Sequence, residues 1–349
     1  MIVKRILILF FLVAAAATTW VFFVPVSYDV QQFTERKGTL YQELSTGSKI
    51  GYYKIAGKSK ESKTPVIYLH GGPGGMVRDE IIEALEPLSY LGHDLYFYDQ
   101  IGSGHSARLD DIREYTVERH KADLHEIIGK INSEKVIFIG HSWGCLLAIN
   151  YLQDHPEKAE KLILGGPGPI LPINKTLINE VPADSLNLIQ PEYTNEEGNR
   201  NAYNLRMKLI QKWAYIFNNK LASDKEVDDF FTYLNEELSK STYCKQDHVK
   251  RYKGGGGYYS HIMTVKSFND VEDKRDVLRT IHIPVLILRG QCDNQKWGFT
   301  REYLDLLPNS KLVIIENAGH DLVNENKDKY YGLIKDFITM PAGKESPAL

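Results

Sequence analysis

The chain has 349 residues, a formal charge of −3, 43% hydrophobic and 25% charged residues. That composition is ordinary for a globular protein and excludes a mainly disordered, collagen-like or coiled-coil chain. The near-neutral balance gives no support to nucleic-acid binding, which usually shows a basic excess or basic stripe.

Lys4 and Arg5 precede an uncharged apolar run over residues 6–24. At about 1.5 Å per residue such a run spans roughly 28 Å, near the hydrocarbon thickness of a bilayer. The segment 1–26 is therefore expected to be a transmembrane anchor with the body outside the cytoplasm, since basic residues stay inside. The alternative is a cleaved signal peptide with Ala15-Ala16-Ala17 as its small-residue site, giving a secreted or periplasmic protein.

The body alternates strand and helix. Residues 41–56 read as a hairpin turning at Gly47-Ser48, and 65–69 as a strand buried on both faces. A helix is expected over 78–91, a strand over 95–98, a helix over 117–131 and a strand over 136–139. A helix from Trp143 should stop near His155-Pro156, because proline cannot continue it. A fourth strand covers 162–164. The rhythm implies a mostly parallel sheet with helices on both faces.

From 169 to 280 the pattern is helical, with no convincing strand. Leu205, Leu209, Ile210, Trp213, Ile216 and Phe217 fall on one helical face; Val227, Phe230, Phe231, Leu234 and Leu238 fall on another. The run Gly254-Gly255-Gly256-Gly257 reads as a surface loop or hinge. Strands resume at 285–288 and 311–315, and a last helix covers 322–337. The expected division is a core in two pieces, 27–168 and 281–340, a helical cap inserted at 169–280, and a tail at 341–349. Cys145, Cys244 and Cys292 are odd in number and far apart, so they allow at most one bridge, and are read as buried or free thiols.

Gly140-His141-Ser142-Trp143-Gly144 sits directly between a strand and a helix. In that context G-x-S-x-G is a nucleophile elbow, whose tight turn needs glycine at Gly140 and Gly144 and lifts the serine above the sheet end. A serine needs a base, and the base needs an orienting acid. The chain order of this architecture is serine, acid, histidine. Asp293 follows the 285–288 strand and His320 follows the 311–315 strand, both at strand ends where sites of parallel sheets form. Asp321 and Glu316 lie near the histidine in sequence, but adjacency does not aim a carboxylate at an imidazole. His282 is at the wrong end of its strand, and His141 packs within the elbow. The developing oxyanion needs donors: Trp143 N–H at a helix N-terminus, and Gly72 N–H, with Gly71 as fallback, from the turn His70-Gly71-Gly72-Pro73-Gly74. Asp99, in Asp99-Gln100-Ile101-Gly102-Ser103-Gly104-His105-Ser106, precedes the serine and is assigned to bracing backbone amides.

These three motifs together resemble the proline iminopeptidase family of α/β-hydrolases over roughly residues 40–168 and 281–338. The resemblance implies the α/β-hydrolase fold, the triad Ser142, Asp293 and His320, the oxyanion pair Gly72 and Trp143, and release of N-terminal residues from short peptides. The chain departs from the family at Ile101, where arginine is usual, and at Cys145, where a second glycine is usual. Two glutamates that bind the substrate ammonium in that family have no match at Trp213-Ala214-Tyr215-Ile216-Phe217 or Gly256-Gly257-Tyr258-Tyr259. Glu180, Asp184 and Asp229 are other acids of the insertion. The expected activity is amide or ester cleavage of a small molecule or short peptide through an acyl-enzyme. An esterase or lactonase on the same triad is the alternative, and a non-catalytic binding protein of this fold is the second. No cofactor or metal is expected, as no H-E-x-x-H or similar spacing occurs.

Overall fold

The computed structural model describes residues 2–340; the tail at 341–349 lies outside the described residues. A helix, α1 (Ile2–Phe23), leads into the hairpin β1 (Leu40–Glu43) and β2 (Lys49–Ile55). Then come β3 (Lys63–Leu69), α2 (Asp79–Leu85), β4 (His93–Tyr98), α3 (Val117–Ile131), β5 (Val136–His141), α4 (Trp143–Asp154) and β6 (Ala159–Gly165). The helix expected over 78–91 is α2 followed by a 3-10 turn, Glu86–Leu91. Pro87 lacks the N–H that would continue an α-helix.

Between β6 and β7 lies the helical insertion: α5 (Asn195–Ala202), α6 (Leu205–Phe217), α7 (Asp224–Thr242), α8 (Tyr258–Lys266) and α9 (Arg275–Leu278). The core resumes with β7 (Val285–Gly290), α10 (Trp297–Leu306), β8 (Ser310–Ile315) and α11 (Leu322–Thr339). The α10 helix was not anticipated, because Gly298 and the polar Thr300-Arg301-Glu302 interrupt its apolar face.

The eight strands form one sheet in the order β1-β2-β4-β3-β5-β6-β7-β8. β1, β2 and β4 pair antiparallel; every pair from β4 to β8 is parallel. Both faces are covered. Ile137 and Ile139 of β5 pack in a layer with Ile81 and Leu85 of α2 and Ile334 of α11. Val136 and Phe138 pack on the other face with Leu124 of α3 and Leu147 of α4. Burial on both faces is why the central strands read as unbroken apolar runs instead of alternating.

Three expectations are corrected here. First, the membrane anchor is overturned: among the described residues no helix is long and apolar enough to cross a membrane. The membrane partner and the extracytoplasmic placement fall with it. The end of α1 is instead held by the insertion, where Arg206 Nη1 donates to the Val21 and Phe22 carbonyls at 2.8 and 2.9 Å. Second, the apolar stripe on α6 does not all face inward. Leu205, Ile216 and Phe217 are exposed, while Arg206 is buried. Arg206 is turned inward by Glu226, which takes its Nε and Nη2 protons at 2.5 and 2.8 Å. Third, the four glycines are neither hinge nor surface loop. Gly257 N–H donates to Gly74 O at 2.7 Å and Gly104 N–H to Gly255 O at 2.6 Å. A Cβ on Gly257 would sit 1.7 Å from Gly102 O, so only glycine allows this contact between insertion and core.

Candidate active site

The elbow is built by close packing. Gly144, in the first turn of α4, approaches β3 so closely that a Cβ there would lie 2.0 Å from Leu69 O. Ser142 pays for the turn with φ 52° and ψ −118°, a region side chains rarely adopt. It stands between β5 and α4 at the C-terminal edge of the sheet. Trp143 N–H is in the first turn of α4, among the amides that have no intrahelical partner.

His320 Nδ1 lies 3.0 Å from Asp293 Oδ1, and both residues are buried. Burial alone would push the Asp293 carboxyl up. The His320 charge and hydrogen bond, Arg289 and the Gln295 N–H outweigh it and bring it to about 2. His141 lies beside His320, ring centroids 5.0 Å apart. Burial, with the His320 charge adding to it, lowers the His141 imidazole to about 3. Gly166 leaves the space beside the pair: a Cβ there would be 2.9 Å from His320 Nδ1 and 3.1 Å from Asp293 Oδ2.

The turn after β3 is tied to the elbow through Gln100. Gln100 N–H donates to His70 Nε2 at 2.9 Å, its Nε2 donates to His70 O at 3.1 Å, and its Oε1 accepts the Trp143 indole N–H at 2.7 Å. His70 Nδ1 therefore carries the proton and donates to Gly71 O at 2.8 Å. Burial lowers the His70 pKa, consistent with a neutral ring. Asp99 accepts Val77 N–H at 2.7 Å and both His105 N–H and Nδ1–H, at 2.9 and 2.7 Å. Pro73 O accepts from His261 Nδ1 of the insertion at 2.9 Å, and Gly74 takes the glycine contact described above.

Gly71, Gly72, Ser142 and His320 open onto one cavity of about 700 Å³ roofed by the insertion. Asp293, bonded to His320, does not line it. From the insertion, Asn195, Asn199, Thr232, Asn235 and Ser239 line it together with Phe231, Leu234 and Leu238, and Lys250, Arg251 and Lys253 add positive charge. Glu180, Asp184 and Asp229 do not line it; Glu180 pairs with Arg301 and Asp229 with Lys225. The lining carboxylates are Glu35, Asp79, Glu80 and Asp321. Glu35 accepts from Tyr41, and Asp79 is held by Arg36 and Lys253. Arg78 holds Asp321 through two bonds of 2.7 and 2.8 Å. Among the described residues the Glu80 carboxylate makes no hydrogen bond or ion pair, and it is half-buried. Glu316 is exposed.

Sequence reasoning missed Arg78, Tyr243 and Glu80, which sit in no motif, and it misread two cysteines. Cys244 and Cys292 form a disulfide with Cα atoms 5.2 Å apart, and Cys145 is the buried free thiol. Their spacing of 48 residues gave no pairing signal; the fold brings the end of α7 onto the loop after β7. Among the described residues no group of side chains is arranged to hold a metal ion.

The alpha/beta hydrolase fold family matches residues 64–327. The chain is 29% identical over 292 residues to the proline iminopeptidase of Saccharolobus solfataricus, covering 82% of this chain and 88% of that one. It is 26% identical to the proline iminopeptidase of Thermoplasma volcanium, with 82% and 92% covered. Among solved structures, an esterase from Exiguobacterium antarcticum superposes with a TM-score of 0.58 at 19% identity, over 86% of this chain and 99% of that one. With the eight-stranded sheet and the elbow on its edge, these matches identify the chain as a member of the α/β-hydrolase fold family and a proline iminopeptidase-like hydrolase.

Proposed function

We propose that this hydrolase works by acyl transfer through Ser142, His320 and Asp293, with residues 169–280 as a cap over the reacting bond. The observation that carries the reading is the 3.0 Å His320–Asp293 bond beside a serine at φ 52°, with Ser142 and His320 on one cavity wall. Asp293 keeps the proton of His320 on Nδ1 and leaves Nε2 to accept. Ser142 Oγ attacks the substrate carbonyl as His320 takes its proton. Trp143 and Gly72 N–H groups hold the oxyanion. His320 then protonates the leaving group, and water, activated by the same imidazole, releases the acyl group.

The likeness to relatives named proline iminopeptidase supports a short peptide with a free N-terminus as substrate. Selecting a free amine takes a carboxylate that pairs with it. Glu80 is our assignment for that role, since the other lining acids are already engaged. The described lining of the insertion carries Lys250, Arg251 and Lys253 and no carboxylate, which favours a second reading, an esterase with no demand for an amine.

A proline arylamide, its N-acylated form and a short-chain aryl ester separate the two. The aminopeptidase prefers the free amine, and Glu80→Gln lowers that preference at least about tenfold while sparing the ester. Equal rates with and without the acyl group, with fast ester turnover, establish the esterase and remove Glu80 from the site.

A further inference from the structure

We propose that residues 241–244, where α7 ends, form a clasp that positions both the acid and the base, and that its disulfide makes catalysis sensitive to reduction. The inference rests on the assignment of Asp293 and His320 above. Each of those residues has its two sequence neighbours held by the same four-residue segment. On the acid side, Cys292 is bonded to Cys244 through the disulfide. Asn294 Nδ2 donates to Ser241 Oγ at 3.1 Å. On the base side, Gly319 lies so close that a Cβ on it would be 2.4 Å from Thr242 O. Asp321 N–H donates to that same Thr242 O at 3.1 Å, and Tyr243 Oη donates to Asp321 Oδ2 at 2.9 Å.

Glu325 closes the arrangement. Its carboxylate accepts Cys244 N–H at 2.9 Å, Lys245 N–H at 3.1 Å and Gly319 N–H at 2.5 Å. Arg78 also holds the Asp321 carboxylate, through both of its oxygens. The loops after β7 and β8 are also joined directly, by Cys292 N–H to Ala318 O at 2.9 Å. One end of an insertion helix thus sets the separation of two loops whose side chains must stay within hydrogen-bond distance. A shift of about 1 Å between such groups costs up to about a hundredfold in rate.

The covalent link of the clasp is reachable. Cys244 is half-buried whereas Cys292 is buried. A dithiol reductant such as dithiothreitol attacks Cys244 Sγ as its thiolate and releases the Cys292 thiolate. Its second thiol then displaces Cys244, leaving two protein thiols and one oxidised reductant. Cys145 is already a thiol, so this treatment leaves it unchanged.

The experiment uses the full chain, oxidised and reduced. We expect reduction to lower kcat about tenfold with KM within about twofold, and to slow labelling of Ser142 by a fluorophosphonate to the same degree. Reoxidation should restore both. Cys244→Ser and Cys292→Ser should match the reduced protein and ignore the reductant. Tyr243→Phe, which keeps the disulfide, should lower kcat a few-fold at unchanged KM. Unchanged kcat and labelling rate in the folded, reduced protein overturn the clasp. A loss that follows the unfolded fraction by circular dichroism also overturns it, since that is a merely structural bridge. Failure of Ser142 to label in the oxidised protein is a different result: it removes the triad assignment on which the clasp rests.

Discussion

At the scale of single residues, the site depends on a few groups held in unfavourable states by their neighbours. Ser142 occupies a strained φ that Gly140 and Gly144 make reachable. Ser142→Ala should cut turnover at least about a thousandfold while leaving the melting temperature within a few degrees. Substantial remaining activity would remove it as nucleophile. Asp293 carries a pH signature. Its carboxyl is brought from the ordinary 3.8 to about 2 in the folded protein. A depressed acid stabilises the fold above the unfolded pKa, and that contribution is lost as pH falls through the folded value. The contribution is about 2 kcal/mol, present above about pH 4 and gone below about pH 2. Urea midpoints at pH 5 and pH 2.5 should therefore differ less in Asp293→Asn than in the parent. An equal pH dependence in both would contradict the assignment.

At the scale of elements, tight contacts decide where side chains can exist. α4 meets β3 at Gly144, where a Cβ would strike a backbone carbonyl and not a side chain that could move. Gly144→Ala should destabilise the protein by about 3 kcal/mol and lower its melting temperature, with activity falling in step. A stable Gly144→Ala protein would mean that α4 can shift without cost. The elements of the core were legible because their signals are local. The apolar run of β5 and the capped pattern of α3 lie within single short segments. α6 was legible as a helix but not in its orientation. Its apolar stripe competes with Arg206, and the buried partner Glu226 that wins lies on α7. The glycine run was misread for a related reason: glycine marks either freedom or close approach, and only the neighbouring backbone tells which.

At the scale of the whole molecule, the insertion is fastened to several other parts. It holds the loops after β7 and β8 through residues 241–244 and the turn after β3 through Gly257. It also holds residues 21–26, where Arg206 takes two carbonyls of α1 and Glu226 accepts Val26 N–H at 3.0 Å. The Arg206–Glu226 pair is buried, so removing one partner strands the other charge. Glu226→Ala should cost about 3–5 kcal/mol and raise hydrogen exchange of the amides around residues 21–26. Wild-type protection there would show that the pair does not hold this segment.

The sequence by itself determined the core strands, the core helices other than α10, the elbow at Ser142, and the strand-end loops that carry Asp293 and His320. Each depends on a residue pattern within about twenty positions, where hydrophobic period, glycine and proline act directly on the local backbone. The tertiary structure alone decided that Cys244 meets Cys292, that Arg206 turns inward to Glu226, and that Glu80 lines the cavity with no hydrogen bond or ion pair among the described residues. Those outcomes depend on which distant segments meet and which partner each charge finds. Burial makes such partners obligatory, but it leaves no periodic trace in the sequence.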